Sequence, residues 1–330
     1  MNFVTGGTGI LGSRLIYDLL LSGEKVRALK RKESNLNQFN SIIRFYTGDK
    51  NILNNLEWVE GDINDISSLE AMNGCDYVYH CAATVSFAKN DKEKMFKINV
   101  EGTKNVVNTA LKANIKKFCH VSSTAALGGS VINGVITEEE LWGNDAKRSN
   151  YAVSKKLAEL EVWRGIEEGL NAVIVNPSVI IGPGDKSSAT IFTKIQKGLS
   201  FYTHGINGYV DVRDVSNVMI KLMRSEISKE RFLVISENLS FKEIFDCIAE
   251  HLHKKAPGIE AKKWMTEIIW RLEALRSGIF NSPAFITKET SATAFSNCYY
   301  SNEKAKSVLK HDFIPIKTSI KEMSRFYRQH

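Results

Sequence analysis

The sequence predicts an α/β protein built on a doubly wound parallel sheet, with a smaller, mainly helical substrate domain towards its C-terminus. Three observations support this fold class. Short runs of β-branched and aromatic residues alternate with longer amphipathic stretches through the first 180 residues, a pattern typical of βαβ units. A glycine-rich turn follows the first of these runs. Beyond residue 237 the pattern becomes mainly helical.

Six strands are predicted before residue 178, and each is short and rich in strand-favouring residues. In chain order they span 2–5, 25–29, 56–60, 77–81, 117–122 and 172–176. Predicted helices lie between them near 10–22, 66–72, 92–113 and 151–169. Strands that alternate with helices in this way form parallel sheets that are covered on both faces.

After the sixth strand the alternation loosens. A further strand and helix are expected within 206–223, and a late strand within 231–236. We therefore expect two domains, and the chain passes from one to the other more than once. The nucleotide-binding domain comprises 1–177 and 206–236, and the substrate-binding domain comprises 178–205 and 237–330.

Composition excludes several classes of protein. With 43% hydrophobic and 25% charged residues, the chain is neither disordered nor collagen-like. No apolar run reaches the ~20 residues that cross a bilayer, and the first residues do not resemble a signal peptide, so a cytoplasmic protein is expected. The net charge of +7 favours anionic ligands. The late basic residues are mixed with acidic ones, which favours a solvated surface, and we expect no nucleic-acid or membrane partner.

Cysteine and histidine residues give no sign of a metal site. The five cysteines form no C-x-x-C pair, which indicates reduced thiols. His80 and His120 fall inside predicted strands, so we expect them in the core. His251 and His253 have no third ligand nearby in the sequence.

The segment Thr5-Gly6-Gly7-Thr8-Gly9-Ile10-Leu11-Gly12 follows the first strand and opens a helix. Glycines at positions 6, 9 and 12 allow a tight turn and a close approach of backbone N–H groups to a pyrophosphate. The helix N-terminus adds unpaired N–H groups and a favourable dipole. In this strand–turn–helix context the segment predicts a Rossmann-type dinucleotide site, and a structural turn alone is the alternative.

The end of the second strand bears on which dinucleotide fits. A carboxylate there binds the ribose 2′-OH of NAD, whereas a basic residue accommodates the 2′-phosphate of NADP. This segment reads Leu29-Lys30-Arg31-Lys32-Glu33. Arg31 is suited to bidentate pairing with a phosphate, and Lys30 or Lys32 adds charge, so NADP(H) is favoured. NAD(H) with Glu33 on the ribose is the alternative.

Several further segments resemble the extended short-chain dehydrogenase/reductase family, in its dihydroflavonol-4-reductase and 3β-hydroxysteroid dehydrogenase-like branch. They begin at Gly61, Gly74, Asn99, Val121, Tyr151, Asn176, Tyr209 and Tyr300, in the family's order. The resemblance covers essentially the whole chain. It implies additional cofactor contacts from Asp62, Ile63, Ala82, Ala83, Pro177 and Ser178, and a homodimer formed through the helices near 92–113 and 151–169.

The same resemblance assigns a reacting centre. Tyr151 and Lys155 form a Y-x-x-x-K pair, which shares one face of a helix. We expect the lysine to lower the tyrosine pKa from its usual value near 10 and to position the cofactor ribose. By resemblance Ser123 binds the substrate oxygen, with Thr124 as the alternative. The expected chemistry is hydride transfer between a nicotinamide and a carbonyl or secondary alcohol, with Tyr151 as general acid/base. Asn99 either supports this site or packs the helices.

The substrate is expected to be small and apolar or ring-containing. Phe87 and Thr124 are the proposed substrate contacts, and further aromatic residues either line the pocket or form core: Phe201, Tyr202, Trp264, Trp270, Phe280, Phe285, Tyr299 and Tyr300. Gly128 replaces the asparagine by which plant flavonoid enzymes contact dihydroflavonol, which argues against that substrate. Two other functions stay open: a nucleotide-sugar epimerase or dehydratase with tightly bound NAD, and a non-catalytic cofactor sensor.

Overall fold

A computed structural model describes residues 1–127, 134–140, 142, 148–185, 189–280 and 287–329. Its centre is a seven-stranded sheet in which every neighbouring pair is parallel. In spatial order the strands are β10 (Glu230–Val234), β6 (Ala172–Pro177), β5 (Lys117–Val121), β4 (Tyr77–His80), β1 (Asn2–Thr5), β2 (Val26–Lys30) and β3 (Leu56–Glu60). The predicted α/β fold with a Rossmann-type doubly wound sheet is confirmed.

Helices cover both faces of this sheet, because its strands are apolar on both sides. One face carries α1 (Ile10–Leu21), α2 (Asn37–Tyr46) and α7 (Val212–Arg224) over a core that includes Leu15 and Val218. The other face carries α4 (Gly102–Lys112) and α5 (Asn150–Glu167) over a core that includes Phe3 and Phe118.

The remaining elements that the structure describes form two small sheets and six further helices, of which the helix at Glu303–Leu309 packs against β10 and α7. A three-stranded sheet contains β7 (Val179–Ile181), β9 (Ile206–Asp211) and β11 (Glu237–Ser240), and a two-stranded one contains β8 (Phe201–Tyr202) and β12 (Ile259–Glu260). The helices are α6 (Ala189–Gln196), α8 (Phe241–Leu252), α9 (Lys263–Phe280), α10 (Lys288–Thr293), α11 (Glu303–Leu309) and α12 (Ile316–Gln329). Side chains of α6, α8, β9 and α12 share a separate core.

Several elements differ from the predictions. The segment predicted as one helix over 92–113 is α3 (Lys92–Phe96), a π-helical turn at Lys97–Glu101 and then α4. The helix near 66–72 is a 3₁₀ helix, and α2 was not predicted at all. Both β9 and β10 were predicted in the nucleotide-binding domain, but β9 pairs in the three-stranded sheet while β10 joins the large sheet. The division into two domains stays a prediction.

Within the part of the chain that the structure describes, no helix is both long enough and apolar enough to span a bilayer. The cytoplasmic location stays a prediction. Gly128 and Phe285 lie outside the described residues, as does the side chain of Phe280.

Candidate functional site

The turn between β1 and α1 leaves no room for side chains. Gly6 has a φ of +71°, in the region that favours glycine, and a Cβ there would lie 2.6 Å from the backbone nitrogen of Ala82. A Cβ on Gly12 would lie 2.2 Å from the carbonyl oxygen of Gly6. The N-cap residue of α1 is Gly9, so no capping side chain competes with an anion for the first N–H groups of the helix. The turn therefore fits a dinucleotide pyrophosphate. The predicted contacts Thr8, Ile10 and Leu11 lie in it and in the first turn of α1.

Gln38 on α2 holds this turn in place, and sequence analysis missed it. Its Nε2 donates to the carbonyl oxygen of Thr8 at 2.9 Å, and its Oε1 accepts from the backbone nitrogen of Asp185 at 3.1 Å. One amide therefore joins the glycine turn to the loop that follows β7. No local motif marks such a residue, because its partners are distant in sequence.

The neighbouring ends of β1 and β4 are tied by a buried chain of hydrogen bonds. His80 Nδ1 lies 2.7 Å from Thr5 Oγ1, and His80 Nε2 lies 2.9 Å from Thr103 Oγ1. Thr103 donates its own proton to the carbonyl oxygen of Asn99 at 2.6 Å, so Nε2 of the histidine is the donor and Thr5 donates to Nδ1. Burial lowers the pKa of His80 to about 3. His80 is a neutral core residue, as predicted, and His120 is buried beside it.

The basic segment after β2 faces solvent. The guanidinium of Arg31 lies 3.5 Å from the Glu33 carboxylate, with the two side chains 51% and 72% exposed. Lys32 is also exposed, whereas Lys30 pairs with Glu60 at 3.1 Å. Arg31 and Glu33 are both accessible to a ribose substituent, and the choice of dinucleotide stays a prediction.

The other predicted cofactor residues lie at or just beyond strand ends along the carboxyl edge of the large sheet. Asp62 and Ile63 follow β3, Ala82 and Ala83 follow β4, and Pro177 and Ser178 end and follow β6. Asp62 accepts a hydrogen bond from the backbone nitrogen of Asn64 at 2.8 Å. The Ser178 hydroxyl is buried and has no hydrogen-bond partner among the described residues. A buried polar atom without a partner is a group that a ligand can satisfy.

Ser123, Tyr151 and Lys155 meet at the end of β5. Ser123 lies two residues beyond that strand, and Lys155 Nζ donates to the carbonyl oxygen of Val121, its last residue, at 2.8 Å. Tyr151 lies one turn before Lys155 on α5 and interacts with the Ser123 side chain. Ser149 caps this helix by accepting from the Ala152 backbone nitrogen at 3.0 Å, which fixes where its first turn begins.

Burial determines the protonation states of Lys155 and Tyr151. It lowers the pKa of Lys155 to about 8, against the opposing effect of the Glu159 carboxylate one turn further on. Burial also raises the pKa of Tyr151, and this outweighs the lowering by Ser123. The expected lowering of the tyrosine pKa by Lys155 is therefore corrected: the ammonium binds a backbone carbonyl and the phenol is held mainly in its neutral form.

Asn99 clamps the segment that carries Phe87. Its side chain exchanges two hydrogen bonds with the backbone of Thr84, at 2.7 and 2.9 Å, and donates a third to Ser154 Oγ at 3.0 Å. Asn99 thus both supports the site through a backbone contact and packs two helices together. The ring of Phe87 then lies 5.9 Å from the ring of Tyr151, edge to face.

The residue after the serine faces the C-terminal part of the chain. Thr124 is buried, and its hydroxyl interacts with the phenol of Tyr300. Tyr300 is held by paired hydrogen bonds to Asn238, at 2.9 and 3.0 Å. One of the predicted aromatic residues thus contacts the residue that follows Ser123.

With this geometry in place, comparison with known proteins decides the family. The model of the NAD dependent epimerase/dehydratase family matches residues 2–235. The chain belongs to this family. Membership of this family supports dependence on NAD(H) and does not establish a preference for NADP(H).

Three similar proteins cover most or all of this epimerase/dehydratase-family chain. A putative dihydroflavonol 4-reductase from Synechocystis sp. is 29% identical over 339 residues, which cover 99% of this chain and 94% of the relative. Sterol demethylase protein B from Methylococcus capsulatus is 32% identical over 259 residues, covering 75% and 73%. The crystal structure of gox2253 is 27% identical with a TM-score of 0.81, covering 100% and 98%. The resemblance to the dihydroflavonol-4-reductase-like branch of the extended short-chain dehydrogenases/reductases is confirmed.

Some of the aromatic residues expected in the substrate pocket of this family member face solvent instead. The side chain of Trp264 on α9 is 62% exposed, and Phe201 and Tyr299 are each 41% exposed. The sequence shows that these residues are aromatic, but it does not show which of them other parts of the chain cover. Of the predicted aromatic residues that the structure describes, Phe87 lies next to Tyr151, and Tyr300 contacts Thr124, which follows Ser123.

Proposed function

We propose that this chain is an NADP(H)-dependent oxidoreductase that reduces a carbonyl group to a secondary alcohol. The observation that supports the proposal most is the meeting of Ser123, Tyr151 and the Lys155 ammonium at the end of β5. That strand end lies at the sheet edge where the glycine turn can hold a dinucleotide. A bound nicotinamide would supply or accept the hydride.

The three side chains then have distinct roles. Ser123 donates a hydrogen bond to the substrate oxygen, and Tyr151 gives that oxygen a proton as negative charge develops on it. The raised pKa of Tyr151 keeps the phenol protonated at neutral pH, which favours reduction over alcohol oxidation. The ammonium of Lys155, held at the end of β5 by the carbonyl oxygen of Val121, supports the cofactor ribose.

For the cofactor, we propose that Arg31 and Lys32 bind the 2′-phosphate of NADP(H). Both are exposed beyond β2 and free to turn towards it. Glu33 disfavours the phosphate by its charge, but its contact with Arg31 at 3.5 Å in a solvated position is weak.

We propose an apolar, ring-containing substrate. Phe87 and Tyr300 beside the reacting residues offer ring faces and edges to such a molecule. The names of two relatives, which refer to a dihydroflavonol and a sterol, agree with this class. A sugar-nucleotide dehydratase is disfavoured, because Thr124 and Ala125 follow the serine where that reaction needs an acidic pair.

We also propose a homodimer built on α4 and α5. Leu157 and Leu160 on α5 are 38% and 47% exposed, which leaves apolar surface on that helix for a second copy to cover.

A spectrophotometric screen tests this function. Ring-containing ketones, aldehydes and secondary alcohols are each offered with NADPH, NADH or the oxidised cofactors, and absorbance of the reduced nicotinamide is followed. We expect turnover of ring ketones with NADPH. Cofactor binding with no turnover of any carbonyl would indicate a sensor, and NAD that remains bound through purification would indicate an epimerase.

A further inference from the structure

A fully buried carboxylate lies one helical turn beyond Lys155. Glu159 Oε2 accepts hydrogen bonds from Ser122 Oγ at 2.7 Å and from Asn176 Nδ2 at 2.8 Å. The same Asn176 nitrogen donates to the carbonyl oxygen of Ser123 at 3.0 Å. One carboxylate oxygen thus orients the amide that holds the backbone at the reacting serine.

The other carboxylate oxygen joins this network to the edge of the large sheet. Glu159 Oε1 accepts from Arg231 Nη1 on β10 at 3.0 Å. Arg231 also donates to the carbonyl oxygens of Glu138, at 2.6 Å, and Glu140, at 3.2 Å. These two residues lie between Ser123 and Tyr151 in the sequence. The guanidinium therefore anchors part of the connection between two reacting residues.

Stability alone does not account for such a network. Burying an ion pair costs desolvation that its attraction often only offsets, and apolar replacements of similar volume are frequently as stable. A hydrogen-bonded carboxylate instead holds its partners in fixed positions. Here one hydrogen-bonded branch ends at Ser123 and another at the segment leading towards Tyr151, while the indole nitrogen of Trp163 on the same helix also donates to Oε1 at 3.3 Å.

We propose that Glu159 is a positioning residue of the reacting centre: through Asn176 it fixes the backbone at Ser123, and through its charge it supports the ammonium of Lys155. This proposal rests on the proposed function. The other titratable groups that face Lys155 are Cys81 and His80 from the β4 side of the sheet and His120 on β5, and all three are neutral at neutral pH.

The Glu159→Gln variant tests both branches together. It removes the negative charge that raises the pKa of Lys155, so the alkaline limb of the kcat profile should move about one pH unit lower. It also places an NH2 donor against one of the two sets of donors that face the carboxylate, Ser122 and Asn176 or Arg231, and kcat should fall about 10- to 100-fold. The affinity for NADPH, measured by fluorescence titration, should stay within about twofold because the glycine turn is untouched.

Two further variants separate the branches. Glu159→Asp keeps the charge but shortens the side chain, so kcat should fall while the alkaline limb stays in place. Asn176→Ala removes the amide that joins Glu159 to the backbone of Ser123 but keeps the carboxylate charge. It should behave in the same way as Glu159→Asp, and it serves if Glu159→Gln does not fold. Glu161→Gln is the matched control, because it makes the same charge change on the solvent side of α5, where Glu161 pairs with Arg164.

The proposal is overturned if folded Glu159→Gln keeps both the kcat and the alkaline limb of the unmodified protein. It is also overturned if Glu161→Gln moves the limb equally, since the effect would then be one of overall charge. Failure of the proposed function looks different: the unmodified protein would then turn over no carbonyl with either cofactor.

Discussion

At the scale of single residues, burial changes the pKa of the Lys155 side chain. A lysine ordinarily titrates near 10.4, but burial lowers the pKa of Lys155 to about 8. The ammonium persists at neutral pH because the carbonyl oxygen of Val121 and the carboxylate of Glu159 face it. The residue is therefore charged under ordinary conditions yet close to losing its proton.

This lysine gives the first prediction, which concerns pH. Because the ammonium is lost as pH rises through the folded-state pKa, kcat for carbonyl reduction should decline above about pH 8. Stability should respond oppositely to this group. Between about pH 8 and the unfolded value near 10.4, the unfolded chain binds the extra proton, so its contribution to the free energy of unfolding rises with pH.

Paired measurements check this: a kcat–pH profile and a urea unfolding midpoint at each pH. Activity lost between pH 8 and 10 while the midpoint holds supports the account. An activity decline that follows unfolding would contradict it.

Arg31 gives the second prediction. Replacing it by alanine removes a charge-assisted contact to the 2′-phosphate worth about 1.5–3 kcal/mol, so the Kd for NADPH should rise about 10- to 100-fold while that for NADH changes little. Fluorescence titration with both cofactors measures this. Arg44→Ala, an exposed arginine on α2, is the matched control. Equal losses for both cofactors would contradict the NADP(H) assignment, and weaker NADH binding in Glu33→Gln would favour the alternative.

The residues that sequence motifs identify are those with a fixed spacing to a recognisable turn or helix. Ser123, Tyr151 and Lys155 were found in this way, and the structure brings them together. Glu159 could have been found by its four-residue spacing from Lys155 on the same helix face. The amide of Gln38 could not, because its contacts depend on how α2 packs.

At the scale of elements, the β1–α1 turn depends on backbone contact that only glycine permits. The third prediction follows: Gly12→Ala should lower the free energy of unfolding by about 1–3 kcal/mol, because its Cβ would lie 2.2 Å from the Gly6 carbonyl oxygen. It should also weaken dinucleotide binding. Gly48→Ala is the control, since nothing lies within 4 Å of its added Cβ.

Urea unfolding and cofactor titration measure both effects. The account of the turn is contradicted if Gly12→Ala binds NADPH as tightly as Gly48→Ala and is equally stable.

Six of the seven strands of the large sheet could be predicted to within about one residue and β10 to within two, because buried parallel strands are short, apolar and bounded by turns. The helix α2 was missed because Asn37, Asn40 and Ser41 are poor helix formers. Its apolar residues Phe39, Ile42 and Ile43 nevertheless follow helical spacing and are buried. The π-helical turn before α4 could not be predicted, because it inserts a residue where Asn99 reaches Thr84 and Ser154.

At the scale of the whole molecule, the large sheet brings distant segments to one edge. β1, β4, β5 and β6 lie side by side, and in a parallel sheet their carboxyl ends share that edge. The glycine turn, Ser123 and Ser178 meet there although the sequence separates them by more than 170 residues. The packing of α9 was beyond sequence analysis, because an apolar stripe does not reveal which neighbour covers it.

The fourth prediction concerns assembly. If a second copy covers α5, then the Leu160→Glu variant should reduce the mass in solution from a dimer to a monomer, because a carboxylate would be buried in the interface. Light scattering after size-exclusion chromatography measures this. Leu21→Glu is the control, since Leu21 is 64% exposed at the end of α1. A monomeric unmodified protein, or a dimer that survives Leu160→Glu, would contradict the proposal.

The central claim is that the phenol of Tyr151 transfers a proton beside a bound dinucleotide. The most direct test compares NADPH oxidation by Tyr151→Phe with that by Tyr77→Phe, which loses the same hydroxyl at the opposite edge of the sheet, where β4 begins. The account predicts that Tyr151→Phe binds NADPH normally and loses about 10²–10⁴-fold in kcat, while Tyr77→Phe keeps its activity. Equal turnover by the two variants would contradict it.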